Sequence, residues 1–68
     1  MAKRRERYIG NVKCRRKDGT IVYYAIYDRN GFEIEGPLLE WHRCQPSVQN
    51  VESAKIEIAQ VYGVEVLS

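Results

Sequence analysis

Eight of the eleven lysine and arginine side chains in this 68-residue chain fall within its first seventeen positions: Lys3, Arg4, Arg5, Arg7, Lys13, Arg15, Arg16 and Lys17. Only Glu6 opposes them, so this stretch carries a local charge of +7. The remaining residues set Arg29, Arg43 and Lys55 against eight carboxylates, a local charge of −5. The net charge of +2 therefore hides a strongly polarised chain. Clustered cations suit a polyanion, because each one that reaches a phosphate neutralises it and releases a condensed counterion. A solubilising tail on an acidic domain would have the same composition, so position must decide between the two.

The other chemistry-bearing residues are sparse. His42 is the only histidine, and with Cys14 and Cys44 it supplies at most three good zinc ligands, short of the four a structural site uses. No metal and no cofactor is expected. Glu33 and Glu35 share one face of a strand, ~6.5–7 Å apart, a spacing at which two carboxylates can perform acid–base work in a cleft. On an open sheet they are solubilising charges. There is no glycine-rich phosphate loop and no nucleophile with a local base, so neither an enzyme nor a small-molecule substrate is expected. Trp41 reads first as a residue closing one end of a sheet and second as an anchor for a protein partner.

The elements that position these residues follow from turn chemistry. Asp18-Gly19 and Asn30-Gly31 flank the run Thr20-Ile21-Val22-Tyr23-Tyr24-Ala25-Ile26-Tyr27, which is almost wholly β-branched or aromatic. Two-residue hairpin loops of this type need φ > 0 at both positions, which Asn, Asp and Gly tolerate best. With such loops Arg15 lies opposite Val22, Lys13 opposite Tyr24 and Tyr27 opposite Ile34. Tyr8, Val12, Cys14, Ile21, Tyr23, Ala25, Tyr27, Phe32 and Ile34 then form the core face, while Lys13, Arg15, Tyr24, Glu33 and Glu35 occupy the outer face. Gly36-Pro37 interrupts the third strand, and Leu38 to Cys44 continues in a changed direction.

Ser47 to Tyr62 reads as the one helix. Ser47 or Asn50 caps it, Val51, Ala54, Ile58, Val61 and Tyr62 form its apolar stripe, and Gly63 stops it. Val64 to Leu67 is either a short fourth strand or an extended tail. The expected class is α+β: a three-stranded antiparallel meander with the helix packed across one face. Residues 1–7 are expected to be a mobile basic arm and 8–68 a single domain. No run approaches the ~20 apolar residues of a membrane span. The basic start leads into no apolar signal segment, so a cytoplasmic protein with reduced thiols and no membrane partner is expected.

Arg16-Lys17-Asp18-Gly19, Tyr23-Tyr24 and Asp28-Arg29-Asn30-Gly31, followed by a helix, resemble the arm-binding N-terminal domains of phage-type tyrosine integrases. They also resemble the AP2-type DNA-binding domains, which share the plan of three strands and a helix. The likeness covers roughly residues 7–62 and implies a phage or mobile-element accessory protein whose sheet enters a DNA groove. By position, Lys13, Arg15, Arg16, Lys17 and Tyr24 would face the DNA. The third strand departs from the family pattern in being acidic, and the stretch Gly36 to Gln45 is longer than the family's. The expected function is a non-enzymatic nucleic-acid-binding module, for DNA ahead of RNA. It uses Lys13, Arg15, Arg16, Lys17 and Tyr24, with Lys3, Arg4, Arg5 and Arg7 on the arm. The alternative is a small protein-binding factor, an inhibitor or adaptor of a nucleic-acid machine, acting through Asp28, Glu33, Glu35, Glu40 and Trp41.

Overall fold

The chain reverses three times through loops of three residues, and that loop length sets the register of the sheet. The structure, a computed structural model, describes residues 7–68, so Lys3, Arg4 and Arg5 of the expected arm lie outside the described residues. The strands are β1 (Tyr8–Arg15), β2 (Ile21–Asp28), β3 (Phe32–Glu35), β4 (Trp41–Arg43) and β5 (Glu65–Val66), with helix α1 (Val51–Tyr62) before the last. They form one five-stranded sheet in the order β4-β3-β2-β1-β5, every neighbouring pair antiparallel. The α+β class is as expected. The sheet is wider than a meander because the chain turns back at Pro37-Leu38-Leu39 to make β4, and β5 adds to the free side of β1.

The first loop is Lys17-Asp18-Gly19. Arg16 N donates to Thr20 O at 2.8 Å and Gly19 N to Arg16 O at 2.9 Å, with Gly19 at φ +92°. This is a tight turn closed by a residue in the left-handed region, a common three-residue hairpin connection. Thr20 N also donates to the Asp18 carboxylate at 2.9 Å, which holds that carboxyl below the usual range. The third loop repeats the pattern: Gly36 N donates to Glu40 O, Leu39 N donates to Gly36 O, and Leu39 takes the left-handed position at φ +64°. The second loop, Arg29-Asn30-Gly31, is clamped from outside by Arg43, which donates to Asn30 O and Arg29 O.

Loops one residue longer than expected shift β2 by one place against both neighbours. Cys14 now faces Val22, Val12 faces Tyr24, and Ile26 faces Ile34. A one-residue slip inverts every side chain of a strand. The expected core positions Ile21 and Tyr23 are therefore exposed, and Val22, Tyr24 and Ile26 lie under the helix. The faces of β1 and β3 stand as expected: Val12, Cys14 and Ile34 are buried, and Phe32 packs against them. Helix α1 completes this core with Ala54 and Ile58, and Tyr62 stacks against Tyr24 at 4.6 Å between ring centroids. Asn50 caps the helix by accepting from Ser53 N at 2.8 Å, and Gly63 ends it at φ +65°. Val61, expected in the apolar stripe, is half-exposed, because it lies off the line through Ala54, Ile58 and Tyr62.

Tyr27 is buried on the opposite face, where no helix lies. Tyr8 and Trp41 meet its ring edge-on at 5.6 and 5.1 Å, and the Arg29 guanidinium sits 4.5 Å over it and 4.6 Å over Trp41. Tyr8, expected in the main core, reaches this second cluster because the β1–β2 register shifts between Tyr8 and Gly10. Trp41 belongs to the outer cluster too, and is 46% exposed.

Tyr24→Ala is expected to cost about 3–5 kcal/mol, the range for emptying an aromatic core site, while Tyr23→Ala should stay within about 0.5 kcal/mol. Denaturant titration of the pair checks the register, since equal costs or a reversed order would place the other face inward. Leu39→Gly tests the third loop. The left-handed conformation costs a non-glycine residue about 1–2 kcal/mol and glycine's extra chain entropy about 0.5–1 kcal/mol, so a net gain of up to about 1.5 kcal/mol is expected in the same assay.

Candidate functional site

Strand β1 presents its cations on the face away from the helix. Lys13 pairs in register with Tyr23 and Arg15 with Ile21, and all four are exposed. Arg16 follows on the helix side of the sheet, beside Tyr62 and Gly63, and Lys17 lies in the hairpin loop. No carboxylate among the described residues makes an ion pair with Lys13, Arg16 or Lys17. Arg15 is held by Glu65 of β5 at 3.4 Å, with both side chains largely in solvent, a contact of about 0–1 kcal/mol that a phosphate can replace. An open groove of about 470 Å³ beside the row is lined by Arg15, Arg16, Lys17 and Gly63. Gly63 marks the helix C-terminus, whose free carbonyls are partially negative and attract the loop cations.

The predicted stacking residue changes identity. Tyr24 is only 3% exposed and packed on Tyr62, and burial pushes its phenol pKa up, so it is unavailable to a base. The register slip that buries it turns out Tyr23, which is 54% exposed and adjacent to Lys13. The expected faces followed from a two-residue loop together with the smoother, more apolar character of the face carrying Tyr23. Arg7 is exposed, and its carbonyl accepts from Asp28 N at 3.0 Å, which ties it to the end of β2.

The expected acidic surface is not one surface. Glu33 receives Arg43 at 2.5 Å and Arg29 at 3.3 Å, so two cations cover one carboxylate. Glu35 accepts from the Tyr27 hydroxyl at 3.4 Å. Glu40 folds back onto its own loop and accepts from Leu38 N at 2.9 Å. Asp28 pairs with Phe32, on the helix side of the sheet at the strand end, instead of beside Glu33. Asp28 and Glu40 are exposed but apart from Glu33, and the loop tip also exposes apolar residues: Leu38 and Leu39 are 83% and 72% exposed.

A polar cluster lies between β4 and α1, where Glu57 joins two of the residues weighed as zinc ligands, His42 and Cys44. His42 and Cys44 are two residues apart on one face of the β4 segment, toward the helix, and Glu57 reaches them from the middle of α1. His42 Nε2 and Glu57 Oε2 are 2.5 Å apart, and Gln45 N donates to both Glu57 oxygens at 3.2 and 3.3 Å. Glu57 is 7% exposed, the one buried charged residue among those described. The donor atoms of His42, Cys44 and Glu57 all lie within 4.8 Å of one another. Burial first, then the nearby Glu57 charge, push the Cys44 thiol up to about 11. It is therefore a neutral thiol at pH 7, and the His42 nitrogen that would have to activate it is engaged by Glu57. Cys14 is buried elsewhere in the core, with its thiol also pushed up by desolvation. The one signal for Glu57 in the sequence is its spacing three residues after Ala54, on the flank of the apolar stripe.

Replacing His42 by Ala leaves a buried carboxylate with the Gln45 N–H alone, and about 1.5–3 kcal/mol of stability should be lost. Adding Glu57→Gln to that variant should cost less than the two single changes summed, since the pair acts as a unit. Urea melts of the four proteins measure the coupling, and strict additivity would mean that the two side chains do not interact.

No protein-family model matches this chain, and no curated protein or solved structure matches it either.

Proposed function

We propose that the protein binds nucleic acid through the outer face of β1 and β2, with single-stranded segments the best fit. The observation that carries this reading is the pairing of Lys13 with Tyr23 and of Arg15 with Ile21 on an exposed sheet face. Cations beside an exposed aromatic ring suit a single strand: the charges follow its backbone while a base stacks on the ring. Arg16 and Lys17 add cations around the turn at the end of this face, and Lys3, Arg4, Arg5 and Arg7 stand ahead of it in the chain. The cover that Arg29 and Arg43 give Glu33 removes the strongest repulsion expected on this face. DNA ahead of RNA, and a mobile-element setting, are parts of the proposal that rest on the resemblance alone.

A second reading has one observation in its favour. Leu38 and Leu39 project from the β3–β4 loop, with Trp41 half-exposed at its base. That knuckle suits a hydrophobic pocket on a protein partner better than the internally paired carboxylates Glu33 and Glu35 do.

Fluorescence anisotropy against labelled single-stranded and duplex DNA across a salt series tests the first reading. Four phosphate contacts give a slope of log affinity against log salt of about −3 for a single strand. Arg15→Ala with Arg16→Ala should flatten that slope by about 1.5 and weaken binding to every sequence. Tyr23→Ala should lower single-strand affinity by about 1–3 kcal/mol and leave the slope unchanged. Wild-type protein with no affinity for either nucleic acid at low salt would overturn the reading and turn attention to Leu38 and Leu39.

A further inference from the structure

We infer that His42, Cys44 and Glu57 form a site for one divalent metal ion of zinc type, with a fourth position open to water. The site is independent of the nucleic-acid face. It draws on the helix side of the sheet, whereas Lys13, Arg15 and Tyr23 occupy the other.

The donor set is an imidazole nitrogen, a thiol sulfur and a carboxylate oxygen, which together suit zinc or cobalt and not the all-oxygen preference of calcium or magnesium. Three protein ligands leave a fourth tetrahedral position for water. Metal–ligand distances of about 2.0–2.3 Å put the donors of a tetrahedral ion roughly 3.3–3.7 Å apart. The described separations bracket that value: the His42–Glu57 pair is at 2.5 Å and no pair of donors exceeds 4.8 Å. The histidine and carboxylate must separate by about 0.8 Å, and the thiol lies no more than about 1.3 Å beyond its tetrahedral spacing.

The surroundings favour the ion. The Gln45 N–H already orients the carboxylate, as outer-shell donors do at metal sites, and Cys44 N is fixed by Phe32 O at 2.9 Å. Phe32, Val48 and Ile58 belong to the core that surrounds Cys44. A divalent ion would balance one thiolate and one carboxylate, so a buried charge would be cancelled. The direct His42–Glu57 hydrogen bond is the competing arrangement. On binding, the thiol proton passes to solvent, the imidazole keeps one proton on Nδ1, and the sulfur and Nε2 bind the metal.

Cobalt titration of chelator-treated, reduced protein decides between them. Wild type should take up one equivalent of Co²⁺, giving thiolate-to-cobalt charge-transfer absorption and the intense visible bands of a tetrahedral ion. Cys14→Ser should keep these spectra. Cys44→Ser should lose the charge-transfer band, and Glu57→Gln should weaken affinity at least tenfold. Zinc at a hundredfold excess over its Kd should raise the wild-type Tm by about 10 °C or more. No cobalt spectrum with the wild-type protein, or one that survives in Cys44→Ser, would overturn the site, and so would a zinc-insensitive Tm. The wild-type titration and melt stand alone if a variant fails to fold.

Discussion

The position of β2 governs this molecule. It is the middle strand, its register is dictated at both ends by three-residue loops, and each loop depends on a left-handed residue at its third position: Gly19 and Gly31. Because side chains alternate with period two, that register chooses which of two apolar sets faces the helix. Val22, Tyr24 and Ile26 are chosen, and Ile21 and Tyr23 are left to solvent. The core, the exposed aromatic next to Lys13 and the proposed binding face all descend from this one choice.

A small chain cannot cover both faces of a sheet with helices, and here the second face is managed by side chains. Arg29 lies over Tyr27 and Trp41, and Glu33 holds Arg29 and Arg43 together. Cation–π contacts of this kind contribute about 0.5–2 kcal/mol according to their desolvation, and they bury Tyr27 without an additional layer. The same arrangement consumes the charges at the β3–β4 end. Lys13 on this face, and Arg16 and Lys17 at the adjoining turn, make no ion pairs with the described residues, so the face has a self-paired end and a cationic end.

Glu57 performs a related task on the inner face. It joins β4 to the helix through His42 and the Gln45 N–H, at the flank where α1 has no apolar partner to offer. A buried carboxylate requires such partners, and a chain of this length has little stability to spare if they are lost.

The sequence by itself determined the α+β class, the first two hairpins and the helix. Turn residues at Asp18-Gly19 and Asn30-Gly31 mark hairpins, the Asn50 cap and the Gly63 stop bound the helix, and the charge imbalance singles out the first seventeen residues. These are local signals, carried by neighbouring residues. Tertiary structure decided what local signals leave degenerate. Asp-Gly and Asn-Gly serve two- and three-residue loops alike, and the difference exchanges Tyr23 with Tyr24. Leu39 took a left-handed position that no turn motif announces, and so made β4 a returning strand. Glu57 met His42 across fifteen residues because a helix and a sheet edge packed together, and Val66 paired with Cys14 from the far end of the chain. Such contacts depend on where separate elements come to rest, which is a property of the packed core and not of any single stretch of the chain.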